Sequence, residues 1–174
     1  TKIKYEIMKQ KSDILKEMAL NYERHENVNE MIGILVYEYA VADKEYYLCS
    51  MFDEVFSIDK KELTNEWSLL DSLRCHPEDQ AGFDKFKKTV RTARQMQKAT
   101  VRLYNKYQIP VWYTIIIQTL YGLNNQPVRY LGTLQNVNTE MEIKVEMEYR
   151  ADYDSLTGLY NSDAFYRKAA ELIH

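Results

Sequence analysis

Asp152 and Asp154 form a closely spaced pair of carboxylates near the end of the sequence. Paired carboxylates can divide general acid and general base work between them. No His, Lys or second acidic cluster accompanies this pair, so the spacing favours a turn that ends a helix over a catalytic site.

His76 is a candidate ligand for haem or a metal ion. His25 and His174 do not lie at a spacing that would complete a metal site with it. The sequence therefore favours a structural position for His76, at a helix entry beside Pro77. It requires no cofactor and predicts no metal site.

Four large side chains are candidates for lining a ligand pocket: Trp67, Tyr104, Trp112 and Ile116. A Tyr can pack its ring against other side chains while its hydroxyl contacts a ligand. The alternative is that these side chains fill a hydrophobic core that holds no ligand. The residue types alone leave both interpretations open.

The composition excludes several classes of protein. A net charge of −3 argues against broad electrostatic binding to nucleic acid or anionic lipid. The two cysteines are too few for a disulfide framework, which indicates a reduced, cytoplasmic protein. The longest apolar stretch, residues 111–117, is far shorter than the ~20 residues of a membrane helix, so no membrane contact is expected within this sequence.

Hydrophobic spacing predicts the main elements. Ile7, Ile14, Leu15 and Met18 share one face of a first helix over residues 1–27. Alternating and β-branched segments then predict two strands, a region of short helices and three further strands. The predicted strands cover residues 34–41, 46–50, 98–107, 111–121 and 128–137, and the short helices cover residues 51–56 and 62–70.

A further helix begins near His76-Pro77-Glu78-Asp79, because Pro suits the first helical position and acids suit the first turn. Strands divided by helices in this order predict an α+β fold with an antiparallel sheet. Residues 111–117 are apolar at both alternating sets of positions, so both faces of that strand are expected to be covered. The second face would contact the first helix or another copy of the chain.

The last predicted helix starts near Asn138, where Thr139 and Glu142 fit a capping box. This helix is charged and only lightly apolar, and an isolated helix of about 12–15 residues is marginal in water. We therefore expect it to need a partner, and we expect a homodimer formed through this helix and the first one.

The middle of the sequence resembles the PAS family of sensor domains. The resemblance is carried by Cys75-His76-Pro77-Glu78-Asp79, by Val101-Arg102-Leu103-Tyr104 with Val111-Trp112, and by residues 125–132 with Asn136-Val137-Asn138. PAS domains of this type usually end in Asp-Ile-Thr, where this sequence has Asn-Val-Asn. They usually carry Asp-Gly before the Trp strand, where it has Tyr107-Gln108. The resemblance implies a five-stranded antiparallel sheet with helices on one face, plus flanking N- and C-terminal helices.

The sequence does not support binding of the cofactors that this family uses. Flavin-binding photosensors of the PAS class carry an Asn-Cys-Arg-Phe-Leu-Gln run that is absent here, so Cys49 is expected to be a buried structural residue. Cys75 lies near a helix start, a position that can lower a thiol pKa, but no other feature supports redox sensing.

The last segment resembles the opening of GGDEF (diguanylate cyclase) domains. Asp154-Ser155-Leu156-Thr157-Gly158-Leu159-Tyr160-Asn161 matches the family's Asp-x-Leu-Thr-Gly-Leu-x-Asn run, with Tyr160 in place of the usual Pro. The family's Asn contacts a guanine base, which implies that Asn161 binds nucleotide in an intact cyclase. The Gly-Gly-Asp/Glu-Glu-Phe signature is absent from the sequence, so this segment is not expected to be an enzyme by itself.

Together these resemblances predict four parts. They are an N-terminal helix over residues 1–30, a PAS-like sensor over 31–138, a linker helix over 139–153 and the start of a GGDEF domain over 154–174. The expected function is sensory control of a C-terminal diguanylate cyclase, by a small-molecule ligand or a partner. The alternative is a ligand-free module that only dimerises.

Overall fold

The computed structural model describes residues 2–172, which form six α-helices and five strands. The helices are α1 (Lys2–Met31), α2 (Met51–Val55), α3 (Ser68–Ser72), α4 (Gln80–Val90), α5 (Asn138–Asp152) and α6 (Ser162–Leu172). The strands are β1 (Ile34–Ala40), β2 (Glu45–Leu48), β3 (Gln97–Tyr104), β4 (Pro110–Tyr121) and β5 (Pro127–Asn136). Short 3-10 turns cover Lys60–Glu62 and Pro77–Asp79.

The five strands form one antiparallel sheet in the order β2-β1-β5-β4-β3. The core lies between one face of this sheet and helices α2, α3 and α4. Its fully buried side chains include Phe52, Leu69, Leu70 and Phe83 from the helices and Leu35, Leu103, Ile115, Ile117 and Leu134 from the strands. The predicted α+β fold class with a five-stranded antiparallel sheet is confirmed.

Two predicted helices have other bounds in the structure. The first helix extends to Met31, and Gly33 ends it with a φ of +67°. The predicted helix over residues 62–70 is wrong, because α3 begins only at Ser68. The Ser68 hydroxyl accepts the backbone N–H groups of Thr64 and Asn65, which holds the preceding residues in a turn.

The capping box predicted for the last helix is also wrong. Val137 occupies the N-cap position of α5 and makes no side-chain capping bond. Glu142 instead accepts a hydrogen bond of 2.7 Å from the Asn138 side chain, one turn earlier on the same helix.

Strand β4 carries apolar side chains on both faces, as its sequence predicts. Tyr113, Ile115 and Ile117 are buried in the core, and successive side chains alternate in direction along a strand. Trp112 and Ile116 therefore lie on the opposite face, where both are partly buried. Cover of that second face by another element or chain stays a prediction.

Residues 2–136 and 137–172 belong to two separate compact units. The second unit consists of α5, a tight turn and α6. No helix in the described part of the chain is long and apolar enough to cross a membrane.

Candidate functional site

The sheet separates the four residues predicted to line a pocket. Trp67 packs against the core on the helix side, with its ring edge-on to Tyr130 at a centroid distance of 5.0 Å. Trp112 and Ile116 lie on the other face of the sheet. The structure therefore does not bring Trp67 together with Trp112 and Ile116 around one cavity.

Aromatic rings fill the space between the sheet and the short helices. Tyr37 contacts Tyr46 and Phe52 at centroid distances of 6.3 Å and 6.2 Å, and Phe56 contacts Tyr113 at 5.4 Å. The hydroxyl of Tyr46 donates to the Asn65 carbonyl at 2.8 Å and accepts the Leu69 N–H at 3.3 Å. This hydroxyl thus joins the sheet to the start of α3.

Tyr104 lies at the edge of the sheet beside a small cavity. Backbone hydrogen bonds of 2.9 Å link Tyr104 to Arg74 and His76 to Arg102, so residues 74–76 run along the outer edge of β3. The Tyr104 ring stacks on His76 with centroids 6.0 Å apart. Residue Tyr104 also lines a cavity of about 180 Å³ together with Phe56 and Leu73.

An ionic cluster connects the start of α4 to strand β3. Arg102 donates to both carboxylate oxygens of Asp79, at 2.8 Å and 3.0 Å, and to Glu78 at 2.7 Å. Its backbone N–H also donates to Asp79, at 2.9 Å. The hydrogen bond from Arg102 is the main cause that holds the pKa of Asp79 below its usual value.

The same guanidinium lies 4.9 Å from the centre of the Trp112 ring, within cation–π distance. Asp79, Arg102 and Trp112 carry part of the family resemblance, but the sequence did not predict that Arg102 contacts both of the others. The opposite charges of Asp79 and Arg102 were the available signal. No spacing rule relates these two residues, which lie 23 positions apart on different elements.

Neither cysteine is placed for redox chemistry. Cys49 is buried, and its Sγ accepts the Val36 N–H at 3.3 Å. Burial, reinforced by the nearby Asp79 carboxylate, raises the pKa of Cys75 to about 11, which opposes the lowering expected near a helix start. Among the described residues, which exclude His174, no group of three or more His, Cys, Asp or Glu side chains could hold a metal ion.

Residues 153–161 form a tight turn between α5 and α6. The Asp154 carboxylate accepts hydrogen bonds from the backbone N–H of Leu156 and from the N–H and hydroxyl of Thr157. The bonds from Thr157 are the main cause that lowers the pKa of Asp154. Gly158 has a φ of +67°, a conformation that favours glycine. Asp154 therefore shapes the turn through its Oδ1 atom.

Asn161 holds the two helices of this unit together. Its side-chain nitrogen donates to the Ala151 carbonyl at 2.8 Å, at the end of α5. Its side-chain oxygen accepts the Ala164 N–H at 2.9 Å, which caps the start of α6. Asp152, the other member of the carboxylate pair, contacts Arg167 on α6. The pair is thus divided between two structural contacts.

The sheet order, the helices on one face and the flanking helices define a PAS-like fold. A sensory box histidine kinase/response regulator from Burkholderia thailandensis E264 matches with a TM-score of 0.52 and 17% identity, covering 72% of this chain and 92% of that chain. The N-terminal domain of a diguanylate cyclase with PAS/PAC sensor from Marinobacter aquaeolei matches with a TM-score of 0.50 and 13% identity, covering 62% and 98%. No protein-family model and no curated protein matches the sequence.

Proposed function

We propose that the chain is the sensory part of a bacterial signalling protein, in which a PAS-like domain over residues 31–138 controls a C-terminal diguanylate cyclase. The observation that carries this proposal is the order of elements after the sheet. Strand β5 ends at Asn136, helix α5 begins at Asn138, and the Asp-Ser-Leu-Thr-Gly-Leu-Tyr-Asn turn follows directly. In this proposal the chain itself is not catalytic.

The fold comparison supports the sensory half of the proposal. One of the structures with the same fold is the N-terminal domain of a diguanylate cyclase. The resemblance of residues 154–161 to the opening of a GGDEF domain supports the cyclase half. In a complete cyclase, Asn161 would contact nucleotide by exchanging one of its side-chain hydrogen bonds, which now go to Arg150, Ala151 and Ala164.

The proposed mechanism is a two-state one. A small ligand or a partner favours one packing of the sheet, and α5 shifts or rotates in response. A ligand biases this equilibrium only by its difference in affinity for the two states. The change at α5 then alters how two cyclase domains face each other.

A cytoplasmic homodimer belongs to this proposal. Helix α1 exposes Ile7, Ile14, Leu15 and Met18, each by more than half of its surface. Helix α5 has no buried residue and exposes Ile143, Val145, Met147 and Tyr149. A 15-residue helix that buries none of its residues is marginal in water, so pairing with a second copy would stabilise α5.

Helix insertions in the full-length protein test the mechanism. One residue inserted after Lys144 rotates the ends of α5 by ~100° relative to each other, whereas a seven-residue insertion restores the phase to within ~20°. We expect the single insertion to change cyclic di-GMP production and the seven-residue insertion to preserve it. Equal activity in both variants, or a gene that encodes no cyclase after residue 174, would contradict the proposal.

The filled core favours a second candidate, a module that dimerises without any ligand. The rings of Tyr37, Tyr46, Phe52 and Phe56 occupy the interior beside the sheet. A ligand at 100 times its Kd adds ~2.7 kcal/mol to the free energy of unfolding. That amount shifts the Tm by several degrees for a chain of this size, since each kcal/mol is worth roughly 2–4 °C. A metabolite screen without any such shift would support this candidate.

A further inference from the structure

The cavity beside Tyr104 is lined by three segments that are distant in sequence. Phe56 follows α2, and Leu73 and Arg74 follow α3. Lys106 and Gln108 belong to the β3–β4 turn. Phe56 and Leu73 are buried and apolar, and Tyr104 lines the cavity with them.

Backbone hydrogen bonds fix these segments relative to one another. The Lys106 N–H donates to the Val55 carbonyl at 2.8 Å, and the Tyr104 N–H donates to the Arg74 carbonyl at 2.9 Å. Within the turn, the Asn105 side-chain oxygen accepts the N–H groups of Tyr107 and Ile109 at 2.9 Å and 3.0 Å. The cavity is therefore preformed rather than dependent on a flexible loop.

The charge of the cavity wall is entirely positive. Arg74 and Lys106 line it, and no Asp or Glu does. Among the side chains that the structure describes, neither cation has a carboxylate at ion-pair distance, whereas Arg91, Arg102, Arg129, Arg150 and Arg167 each have one. Two unneutralised cations beside one small cavity attract an anion.

Arg74 contacts two other residues that line the cavity. Its guanidinium donates to the Gln108 side-chain oxygen and lies 5.5 Å from the centre of the Tyr104 ring. A guanidinium has five N–H donors, so this contact leaves donors for a carboxylate.

We propose that this cavity binds a small organic monocarboxylate with a compact apolar body. The carboxylate would contact Arg74 and Lys106, and the apolar body would cover Phe56 and Leu73. The cavity of about 180 Å³ lies below the range of about 300–1,000 Å³ that is typical of sites for drug-sized ligands. A ligand of the size of benzoate or isovalerate suits this volume, whereas haem or flavin is far larger.

The test is a titration of the 174-residue chain in which backbone amide NMR is the readout. Benzoate and isovalerate are the probes. Benzamide is the uncharged control of the same shape as benzoate, and inorganic phosphate is an anion without an apolar body. We expect saturable shifts with both probes at Leu73, Arg74 and Lys106. Benzamide and phosphate should bind at least about tenfold more weakly, because benzamide lacks the negative charge and phosphate lacks the apolar body.

Substitutions assign the binding to the two cations. Arg74→Gln and Lys106→Gln should each weaken benzoate binding by about tenfold, whereas Lys88→Gln, at an exposed position on α4, should leave it unchanged. The amide spectrum of each variant reports whether it is folded.

Three outcomes would overturn the proposal: no saturable shift with either probe, equal binding of phosphate and benzoate, or full affinity in both cavity variants. The inference deepens the proposed sensory function by naming a ligand class, and it rests on that function for its biological meaning. Its test measures binding alone, so failure here leaves the result of the helix insertions unaffected.

Discussion

The ring of Tyr37 lies directly against the backbone of Gly132 on the neighbouring strand. The two residues are paired in the register of β1 and β5. A Cβ added at Gly132 would overlap carbons of the Tyr37 ring and lie 2.6 Å from its hydroxyl oxygen. Because Tyr37 is buried on all sides, its ring has no open space into which it could move.

The substitution Gly132→Ala should therefore destabilise the protein. Overpacking of a well-packed core costs about 1–3 kcal/mol, and urea unfolding would measure the loss. Gly82→Ala on α4 is the matched control, since a Cβ there meets no atom within 4 Å. Ala in place of Gly inside a helix should stabilise by about 0.5–1 kcal/mol. Equal effects of the two substitutions would contradict the steric account.

Removal of the Tyr46 hydroxyl should loosen the start of α3. Tyr46→Phe leaves the Leu69 N–H and the Asn65 carbonyl without their partner, at a cost of about 1–3 kcal/mol. Urea unfolding and amide hydrogen exchange at Leu69 would measure the effect. Tyr107→Phe, at a residue that is 70% exposed, is the control and should leave stability unchanged. Unaltered exchange at Leu69 in Tyr46→Phe would count against this role.

The sequence predicted the order of strands and helices because their signals are local. His76-Pro77 marks a helix start, and alternating apolar residues mark β1 and β3. The predicted helix over residues 62–70 failed because side chains of Asn65 and Ser68 hold the backbone in a turn before α3 can begin. Such side-chain to backbone bonds compete with helix formation and are weakly encoded in hydrophobic spacing.

The predicted pocket could not be assembled from the sequence for a different reason. Residues 111–117 of β4 are apolar at both alternating sets of positions, so the pattern does not reveal whether Trp112 or Tyr113 faces the core. The register of β4 with its neighbours settles this, and it places Trp112 opposite Arg102 instead of beside Trp67. The cavity lined by Arg74 and Lys106 depends on three distant segments, which no local pattern brings together.

Asp79 should contribute more to stability than its neighbour Glu78. The Asp79 side chain is 16% exposed and accepts three hydrogen bonds from Arg102, whereas Glu78 is 72% exposed. Allowing for solvent screening, Asp79→Asn should cost about 1 kcal/mol, and Glu78→Gln should change stability less. Urea unfolding at neutral pH compares the two variants, and a larger loss in Glu78→Gln would contradict the assignment.

The contribution of Asp79 should also depend on pH. Its folded-state pKa is lowered, chiefly by the hydrogen bond from Arg102, so the stabilisation is present above the unfolded-state value of about 3.9. It is lost as the pH falls through the lower folded-state pKa. The difference in urea midpoint between the wild type and Asp79→Asn should therefore shrink in acid, and a constant difference would contradict this linkage.

Buried tyrosines should make the protein sensitive to alkali. Burial raises the pKa of Tyr113 to about 12, above the ordinary value of about 10. The folded state therefore retains a proton that the unfolded state loses, and stability falls as the pH rises from about 10 through about 12. Tyr113→Phe should show a shallower fall in urea midpoint over this range. Identical slopes for wild type and variant would argue against it.

Asn161 should stabilise the turn between α5 and α6 through both ends of its side chain. Asn161→Ala removes the cap on the Ala164 N–H and the donor to the Ala151 carbonyl, and loss of a helix cap typically costs ~1 kcal/mol. We expect faster amide hydrogen exchange at Ala164. Asn161→Asp keeps the capping oxygen but not the donor, so Ala164 should stay protected in that variant. Ser162→Ala, at the exposed neighbouring position, serves as the control, and slow exchange at Ala164 in Asn161→Ala would refute the capping role.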